Sequence, residues 1–338
     1  MTPQPKRPAF GTLLTSHMVV THYRDGKWSQ SEIKPVGSIE ISPAAHMLHY
    51  ASTCFEGFKA FRHADGSVHV FRMDRHMQRL LQSTRLLVLP EPDVEQVADM
   101  VRTLINRCRD AVPEAPGALY LRPIIFGTTA NIGAATTPTT EAMLVVLASP
   151  VWDYFAGGEK PLRILVDDQN TRSAQHMGMV KTGGNYAAAL APIMHAREKY
   201  QADQVLFCPE GQVQETGAAN FMLIRDGELM TRSLDSTFLH GVTRDSLLTM
   251  GRDMGYTVTE KKFDVLEMLD WARTGEAALS GTAAVLAGVG TLIYGENEHR
   301  VGTGHVGNIT KALRAKLVAL QRGEAPDAHG WLERVEAA

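Results

Sequence analysis

The chain has 338 residues, of which 44% are hydrophobic and 21% are charged, and its formal net charge is −3. This length allows two domains with a substantial core, and the composition is typical of a globular protein. The near-neutral charge argues against nucleic acid as a partner, and no run of about eighteen apolar residues predicts a membrane span.

The cysteines give no indication of a metal site. Cys54, Cys108 and Cys208 lie far apart, without zinc spacing or a CxxC motif, so no metal is expected. We expect unpaired, buried or idle thiols in a reducing compartment. The basic residues near the N-terminus are followed by no apolar run, so no secretory signal is expected. The predicted location is cytoplasmic.

Residues 1–150 predict a small N-terminal α+β domain. Two amphipathic helices are expected, one from Asp74 with Met77 and Leu80 in its apolar stripe, the other from Asp93. Helical spacing alone places Arg79 on the solvent side of the first helix. The strands are predicted from alternating or continuous apolar runs at residues 48–53, 55–61, 68–71, 118–125 and 142–147.

An interdomain linker is predicted at residues 151–160, and a larger α+β domain at 161–338. One helix begins after Asp264 with a capping-box pattern that ends at Glu267, and another has Thr243 as its N-cap. The mixed order of elements favours two α+β lobes with a ligand cleft at their junction. Strands are predicted at 162–166, 204–207, 221–224, 277–280 and 289–293, and helices at 186–200, 244–254, 265–272 and 309–322.

The KTGGNY motif (181–186) places one lysine among glycines. Because Gly178, Gly183 and Gly184 carry no side chain, the backbone is expected to pack closely around the Lys181 amine. A desolvated lysine is a candidate nucleophile that forms a Schiff base. A surface lysine in a glycine-rich loop fits the same residues. A nucleotide phosphate loop does not fit, because valine rather than glycine precedes the lysine.

Three more loops of the second domain carry candidate chemistry. QETGAAN (214–220) places a carboxylate just before a strand, and GVTR (241–244) opens a helix whose first N–H groups can accept an anion. GTAA (281–284) follows a strand with a hydroxyl and exposed amides, a second possible anion cradle. Each loop alone also fits a solvated turn or a simple helix cap.

In chain order, these motifs resemble those of the branched-chain amino acid aminotransferases, which belong to the fold type IV group of pyridoxal-phosphate enzymes. The resemblance covers all but about the first dozen residues and the C-terminal tail. It implies two α+β lobes with the cofactor site at their interface. The matching stretches are HYASTCFEGFKAF (49–61), FRMDRHMQRL (71–80), YLRPIIFG (120–127), KTGGNY (181–186), ADQVLF (202–207), ETGAANF (215–221), HGVTRDSL (240–247) and SGTAA (280–284).

The resemblance also implies roles for the residues around pyridoxal 5'-phosphate. Lys181 would form the Schiff base and carry the proton during transamination. Glu215 would pair with the ring nitrogen and keep it protonated, so that the ring withdraws electrons. Tyr186 would donate to the phenolic oxygen, and Leu239 would pack on the ring. The phosphate would be bound by Arg79, Val242, Thr243 and Thr282.

Substrate binding follows from the same resemblance. The α-carboxylate would be bound by the Tyr120 hydroxyl and the amides of Thr282 and Ala283, and Arg122 would receive the second carboxylate of glutamate. Phe55 and Tyr154 would form apolar walls around the side chain. The implied substrates are leucine, isoleucine, valine, L-glutamate and their 2-oxo acids, including 2-oxoglutarate. The preference among the three branched amino acids, and the direction used in the cell, stay open.

The family further implies a homodimer in which Tyr50, Ile132, Gly133 and Ala134 reach the neighbouring active site. Three alternatives remain: a D-amino-acid transaminase, an aminodeoxychorismate lyase of the same fold group, and a non-catalytic pyridoxal-phosphate binder. The first two would retain Lys181 and Glu215. The binder would need neither Tyr120 nor Arg122, so the presence of this pair disfavours it.

Overall fold

The computed structural model describes residues 8–152 and 160–337, which form two compact units. The first unit contains residues 8–152 and 320–337, and the second contains residues 160–319. The tail from Leu320 therefore clusters with the first unit, which differs from the predicted second domain of residues 161–338.

The strands and helices are numbered in chain order. The strands are β1 (His17–Arg24), β2 (Lys27–Trp28), β3 (Glu32–Pro35), β4 (Thr53–Phe55), β5 (Phe58–Arg62), β6 (Val68–Phe71), β7 (Ala118–Gly127), β8 (Ala142–Val151), β9 (Leu162–Asp167), β10 (Gln204–Phe207), β11 (Asn220–Arg225), β12 (Glu228–Thr231), β13 (Thr257–Glu260), β14 (Glu276–Gly281), β15 (Val285–Tyr294), β16 (Asn297–Arg300) and β17 (Leu332–Val335). The helices are α1 (His46–Tyr50), α2 (Met73–Leu86), α3 (Val94–Arg107), α4 (Gly183–Tyr200), α5 (Val242–Asp253), α6 (Val265–Thr274) and α7 (Asn308–Gln321). Short 3-10 turns lie at Arg109–Ala111 and Pro209–Gly211.

The first unit is built on an antiparallel sheet of order β17-β6-β5-β7-β8-β1-β2, with β3 paired to β1 and β4 paired to β7. The helices α2 and α3 pack on this sheet because their apolar stripes face it. Leu80, Leu104, Leu121 and Leu144 meet in the resulting core with 0–1% of their surface exposed. Burying one such side chain contributes about 1.5–3 kcal/mol.

The second unit has a mixed sheet of order β10-β9-β15-β14-β11-β12-β13, with β16 paired to β15. The strand β9 runs parallel to β10 and β15, and β12 runs parallel to β13, whereas the other pairs are antiparallel. The helix α4 packs against β10 through Ala189, Ala196 and Phe207, which are buried. Mixed sheets with several helices confirm the predicted α+β class.

Several predicted elements are corrected by the structure. Residues 48–52 are not a strand: α1 ends at Tyr50, because its C-cap Ala51 has a left-handed φ of 51°, and β4 begins at Thr53. The apolar run 55–61 is interrupted at Glu56, which separates β4 from β5. The N-cap of α5 is Gly241 rather than Thr243, so Thr243 lies in the first turn. The elements that were not predicted are α1, β1, β2, β3, β12, β13, β16 and β17.

Other local predictions are confirmed. The Asp264 side chain accepts a hydrogen bond from the Glu267 amide and so caps α6, and Asp93 caps α3 through the amide of Glu95. The three cysteines are buried and unpaired, as expected of idle thiols. Among the described residues, no helix combines the length and apolar character needed to cross a bilayer.

Candidate functional site

The loop before α4 holds the candidate lysine in place. The Asn185 amide, in the first turn of α4, donates to the carbonyls of Met177 (2.8 Å) and Val180 (2.9 Å). These bonds fold residues 177–180 back onto the helix immediately before Lys181. The loop is fixed by side-chain hydrogen bonds from the helix that follows it.

Only one of the three glycines near the lysine is tightly packed. A Cβ at Gly178 would overlap the backbone of Thr237 and Phe238, so the lysine loop lies directly against the segment that precedes Leu239. Among the residues that the structure describes, and apart from the chain neighbours and the backbone of α4 itself, no atom lies within 4 Å of a Cβ placed at Gly183 or Gly184. The predicted close packing around the lysine is therefore correct for Gly178 and wrong for the other two.

Lys181 and Tyr186 form the centre of this part of the site. The Lys181 Nζ donates to the Tyr186 hydroxyl at 2.8 Å and lies 5.4 Å from the centre of its ring. Burial raises the pKa of Tyr186, but the Lys181 ammonium, its hydrogen bond and the nearby Arg172 outweigh burial, so the pKa lies below its ordinary value. A proton shared between an amine and such a phenol is held ready for transfer.

Glu215 is a buried carboxylate with hydrogen-bond donors at both of its oxygens. Its Oε1 accepts from Arg172 Nη1 at 2.6 Å and from the backbone amide of Leu239 at 2.8 Å. Its Oε2 accepts from Asn220 Nδ2 at 3.3 Å. Arg172 is itself fully buried and also donates to the Gly217 carbonyl at 3.2 Å. A buried carboxylate needs such partners to remain charged, so this arrangement favours the charged form of Glu215.

Close contacts bring four loops of the second unit together. A Cβ at Gly217, in the Glu215 loop, would overlap Ile193 of α4, and one at Gly281 would lie 3.8 Å from the Ala218 carbonyl. The turn at residues 282–284 therefore lies beside the Glu215 loop. Asn220 Nδ2 also donates to the Leu239 carbonyl at 2.8 Å, which ties the Glu215 loop to the start of α5. The loops of Lys181, Glu215, Leu239 and Thr282 thus converge.

The start of α5 is suited to an anion. Its N-cap, Gly241, has no side chain with which to accept from the first-turn amides, and Val242 and Thr243 are buried there. Amides at the start of a twelve-residue helix attract a dianion such as a phosphate monoester. A lysine paired with a phenol, a fixed carboxylate and an open helix start form a donor set that fits pyridoxal phosphate.

The first unit brings together Phe55, Tyr120 and Arg122. Tyr120 and Arg122 are two residues apart on β7 and so share one face of the sheet. Arg122 Nη2 donates to the Tyr120 hydroxyl at 2.7 Å, and its guanidinium lies 4.4 Å from the centre of the Phe55 ring. A Cβ at Gly57 would overlap the Tyr120 hydroxyl, so a larger residue there would displace the end of the Tyr120 side chain.

A cavity of about 260 Å³ opens beside this group. Its walls are mostly apolar, and Tyr120, Arg122 and Ser149 are the lining residues with polar side chains. The Phe10 ring meets the Tyr120 ring edge-on at 4.9 Å. A space of this kind suits either an apolar side chain or a carboxylate that the guanidinium receives. The remaining lining residues are Gly11, Leu14, Leu147 and Ala148.

Arg79 is buried, which contradicts the expectation from helical spacing. Its Nε and Nη2 donate to the two oxygens of Glu56 at 2.7 and 2.9 Å, and His76 Nδ1 lies 2.7 Å from Glu56 Oε2. Burial raises the pKa of Glu56, but Arg79 and His76 outweigh it and hold that pKa far below its usual range. The buried carboxylate explains why an arginine of α2 turns inward. The phosphate-binding role of Arg79 stays a prediction.

The segments expected to reach a neighbouring subunit are also near each other. Tyr50 donates a hydrogen bond to the Ile132 carbonyl. Ile132 is 70% exposed and Gly133 is exposed, whereas Ala134 is buried. Tyr154, the other predicted pocket wall, lies outside the described residues.

Sequence reasoning missed Arg172, Asn220, Glu56 and His76. One signal for Glu56 is visible: an acid inside the apolar run 53–61 is expected to be buried and therefore paired. Arg172 has no such signal, because it follows a polar stretch in which arginine is ordinary. Only the fold brings Arg172 against Glu215.

Comparison with known proteins agrees with this geometry. The family model of class IV amino-transferases matches residues 53–290. The branched-chain-amino-acid aminotransferase of Mycobacterium tuberculosis H37Rv is 38% identical over 98% of this chain and 93% of its own length. Branched-chain-amino-acid aminotransferase 2 of Bacillus subtilis is 35% identical over 99% of this chain and 94% of its own length.

Solved structures give the same result. The branched-chain amino acid aminotransferase of Escherichia coli superposes with a TM-score of 0.81 at 25% identity, covering 95% of this chain and all of that one. An enzyme of the same name from Thermoproteus uzoniensis, solved with norvaline, gives 0.78 at 24% identity, which supports the fold alone. The family match, the full-length relatives and the convergence of the Lys181 and Glu215 loops lead to one conclusion: the chain belongs to the class IV aminotransferases.

Proposed function

We propose that this chain is a pyridoxal-phosphate-dependent transaminase that exchanges an amino group between branched-chain L-amino acids and 2-oxoglutarate. The observation that carries the proposal is the convergence of the Lys181–Tyr186 pair with the buried Glu215–Arg172 pair in one unit. The names of the full-length relatives support the substrate class.

The chain's own residues divide the chemical work. When bound, the cofactor supplies an electron-withdrawing ring that lowers the cost of removing the proton from the substrate's α-carbon. Lys181 is the base that takes this proton and later returns it, and Tyr186 holds the amine in place through its 2.8 Å hydrogen bond. Glu215 would hold the ring nitrogen of the cofactor through its negative charge. The amides of Val242 and Thr243 would hold the phosphate.

Substrate recognition is assigned to Phe55, Tyr120 and Arg122. The cavity beside Tyr120 offers apolar walls for a leucine side chain. The guanidinium at its edge offers a charge partner for the second carboxylate of glutamate. In this proposal, one site accepts both substrates because only glutamate engages the arginine charge.

A homodimer and a cytoplasmic location complete the proposal. The hydrogen bond from Tyr50 to Ile132 links two exposed segments, and Leu48 and Ile132 expose 58% and 70% of their surface. In the proposed dimer, a second subunit would cover these apolar side chains. Three buried, unpaired cysteines are consistent with a reducing compartment.

The proposal is tested by absorbance spectroscopy of protein loaded with pyridoxal phosphate. We expect L-leucine to change the visible band, and D-leucine to leave it unchanged. Lys181→Ala should slow the absorbance change caused by L-leucine by at least about a thousandfold, because the base and the nucleophile are lost together. Lys199→Ala, an exposed lysine of α4, is the matched control and should behave as wild type. Reaction with D-leucine alone would favour a D-amino-acid transaminase.

A further inference from the structure

Arg172 is a fully buried cation that lies beside both Glu215 and Tyr186. It follows β9 in a stretch without helix or strand, and only 1% of its surface is exposed. Nη1 donates to Glu215 Oε1 at 2.6 Å, and Nε donates to the Gly217 carbonyl at 3.2 Å. Its guanidinium carbon lies 5.5 Å from the centre of the Tyr186 ring.

The consequence of this placement is electrostatic. Burial favours the neutral form of a carboxylate that is 2% exposed, and a cation beside it favours the charged form. Without the Arg172 charge, Glu215 would lose its strongest partner and would attract a protonated ring nitrogen less strongly. The second bond, to Gly217, holds the guanidinium against the backbone of the Glu215 loop and so fixes the direction of the pair.

We propose that Arg172 is a positioning residue that keeps Glu215 charged and aimed at the cofactor's ring nitrogen, and so determines how strongly the site prefers a cofactor that has this nitrogen. The inference rests on the proposed function. It assigns to Arg172 an action through Glu215 rather than a contact with the substrate.

The test compares two cofactors by their affinity for the apoprotein: pyridoxal phosphate and its analogue with carbon in place of the ring nitrogen. We expect wild type to prefer pyridoxal phosphate by about ten- to a hundredfold, the value of a hydrogen bond between charged groups. In Arg172→Gln, the affinities for the two cofactors should differ by less than about threefold. Arg172→Lys, which restores the charge, should retain most of it.

Arg232→Gln is the matched control, because Arg232 is buried in the same unit and pairs with Asp235 at 2.8 Å. It should lower the stability and leave the preference unchanged. An Arg172→Gln protein with the wild-type preference would overturn the proposal. A wild type that neither binds pyridoxal phosphate nor reacts with L-leucine would overturn the proposed function as well, so the two failures are distinguishable.

A double-mutant comparison decides the question if Arg172→Gln alone does not fold. In the neutral pair Arg172→Gln/Glu215→Gln, no buried charge is left without a partner. If Arg172 acts through Glu215, this protein should bind pyridoxal phosphate within about threefold of Glu215→Gln alone. A further loss of about tenfold or more would mean that Arg172 acts independently of Glu215, and the proposal would fall.

Discussion

Arg122 connects two functions through one guanidinium. It donates to the Tyr120 hydroxyl at 2.7 Å, stacks over Phe55 at 4.4 Å and borders the cavity. Sequence reasoning assigned to it only the second carboxylate of glutamate. Because it also orients Tyr120, its loss should affect every substrate whose α-carboxylate is bound by that hydroxyl.

We predict that Arg122→Met lowers kcat/KM for both L-glutamate and L-leucine, but unequally. Glutamate should lose about ten- to a hundredfold more than leucine, because it alone would lose a charged hydrogen bond. Tyr120→Phe is the companion variant. It removes the oriented hydroxyl and should lower kcat/KM for L-glutamate and for L-leucine by the same factor. Equal losses in Arg122→Met would contradict the role of Arg122 in distinguishing the substrates.

Gly241, the N-cap of α5, allows this helix to begin directly against Asn220. A Cβ at this position would overlap Asn220 Oδ1, and Asn220 in turn holds the Leu239 carbonyl and Glu215. Glycine here allows α5 to begin against the Glu215 loop. The position of the anion-binding amides and that of the carboxylate are thus coupled.

Gly241→Ala should therefore weaken binding of pyridoxal phosphate by the apoprotein by about tenfold or more, because Asn220 must move. Fluorescence titration of the apoprotein measures this affinity. Gly37→Ala, which places its methyl group in open space, is the control and should bind as wild type. Unchanged affinity in Gly241→Ala would show that Asn220 does not couple the two loops.

Elements with strong local signals were predictable, and those that depend on distant partners were not. Gln204–Phe207 was predicted residue for residue, because its apolar run is short and bounded by polar residues. Asp264 was recognised as a cap from its own neighbours. By contrast, β17 consists of four residues with a weak pattern, and it becomes a strand only by pairing with β6.

The candidate site was predictable to a similar degree. Lys181, Tyr186 and Glu215 follow from motifs whose order resembles a known family, and the structure places the first two in contact. Helical spacing alone did not predict that the Arg79 side chain is buried, because this spacing describes only the apolar face of the helix itself. The spacing gives no information on a carboxylate from another segment, such as Glu56, which pairs with Arg79 in the fold. Partners from distant segments require the fold.

At the scale of the whole molecule, the buried Glu56 cluster should make stability depend on pH. The pKa of Glu56 is lowered from its ordinary 4.5 in the folded state, so its stabilisation is present above that value and is lost as the pH falls. Glu56→Gln should cost about 3–5 kcal/mol at neutral pH, because Arg79 loses its buried partner.

Urea unfolding of both proteins at several pH values checks this prediction. The difference between wild type and Glu56→Gln should shrink as the pH falls below about 4.5, because only the unfolded wild type takes up a proton there. Glu298→Gln removes an exposed ion pair with Arg163 and should change stability by less than about 1 kcal/mol at any pH. A difference that does not depend on pH would contradict a charged Glu56.

The pairing of β17 with β6 has a consequence for synthesis on the ribosome. Leu332 lies opposite Phe71, so the first sheet lacks its edge strand until residues 332–335 have been translated, more than 250 residues after β6. Residues 160–319 are complete earlier and can fold while β6 still presents a bare edge, which is a template for aggregation. For this chain, the nascent N-terminal sheet waits longest for its last strand, and its open edge is exposed to aggregation during that time.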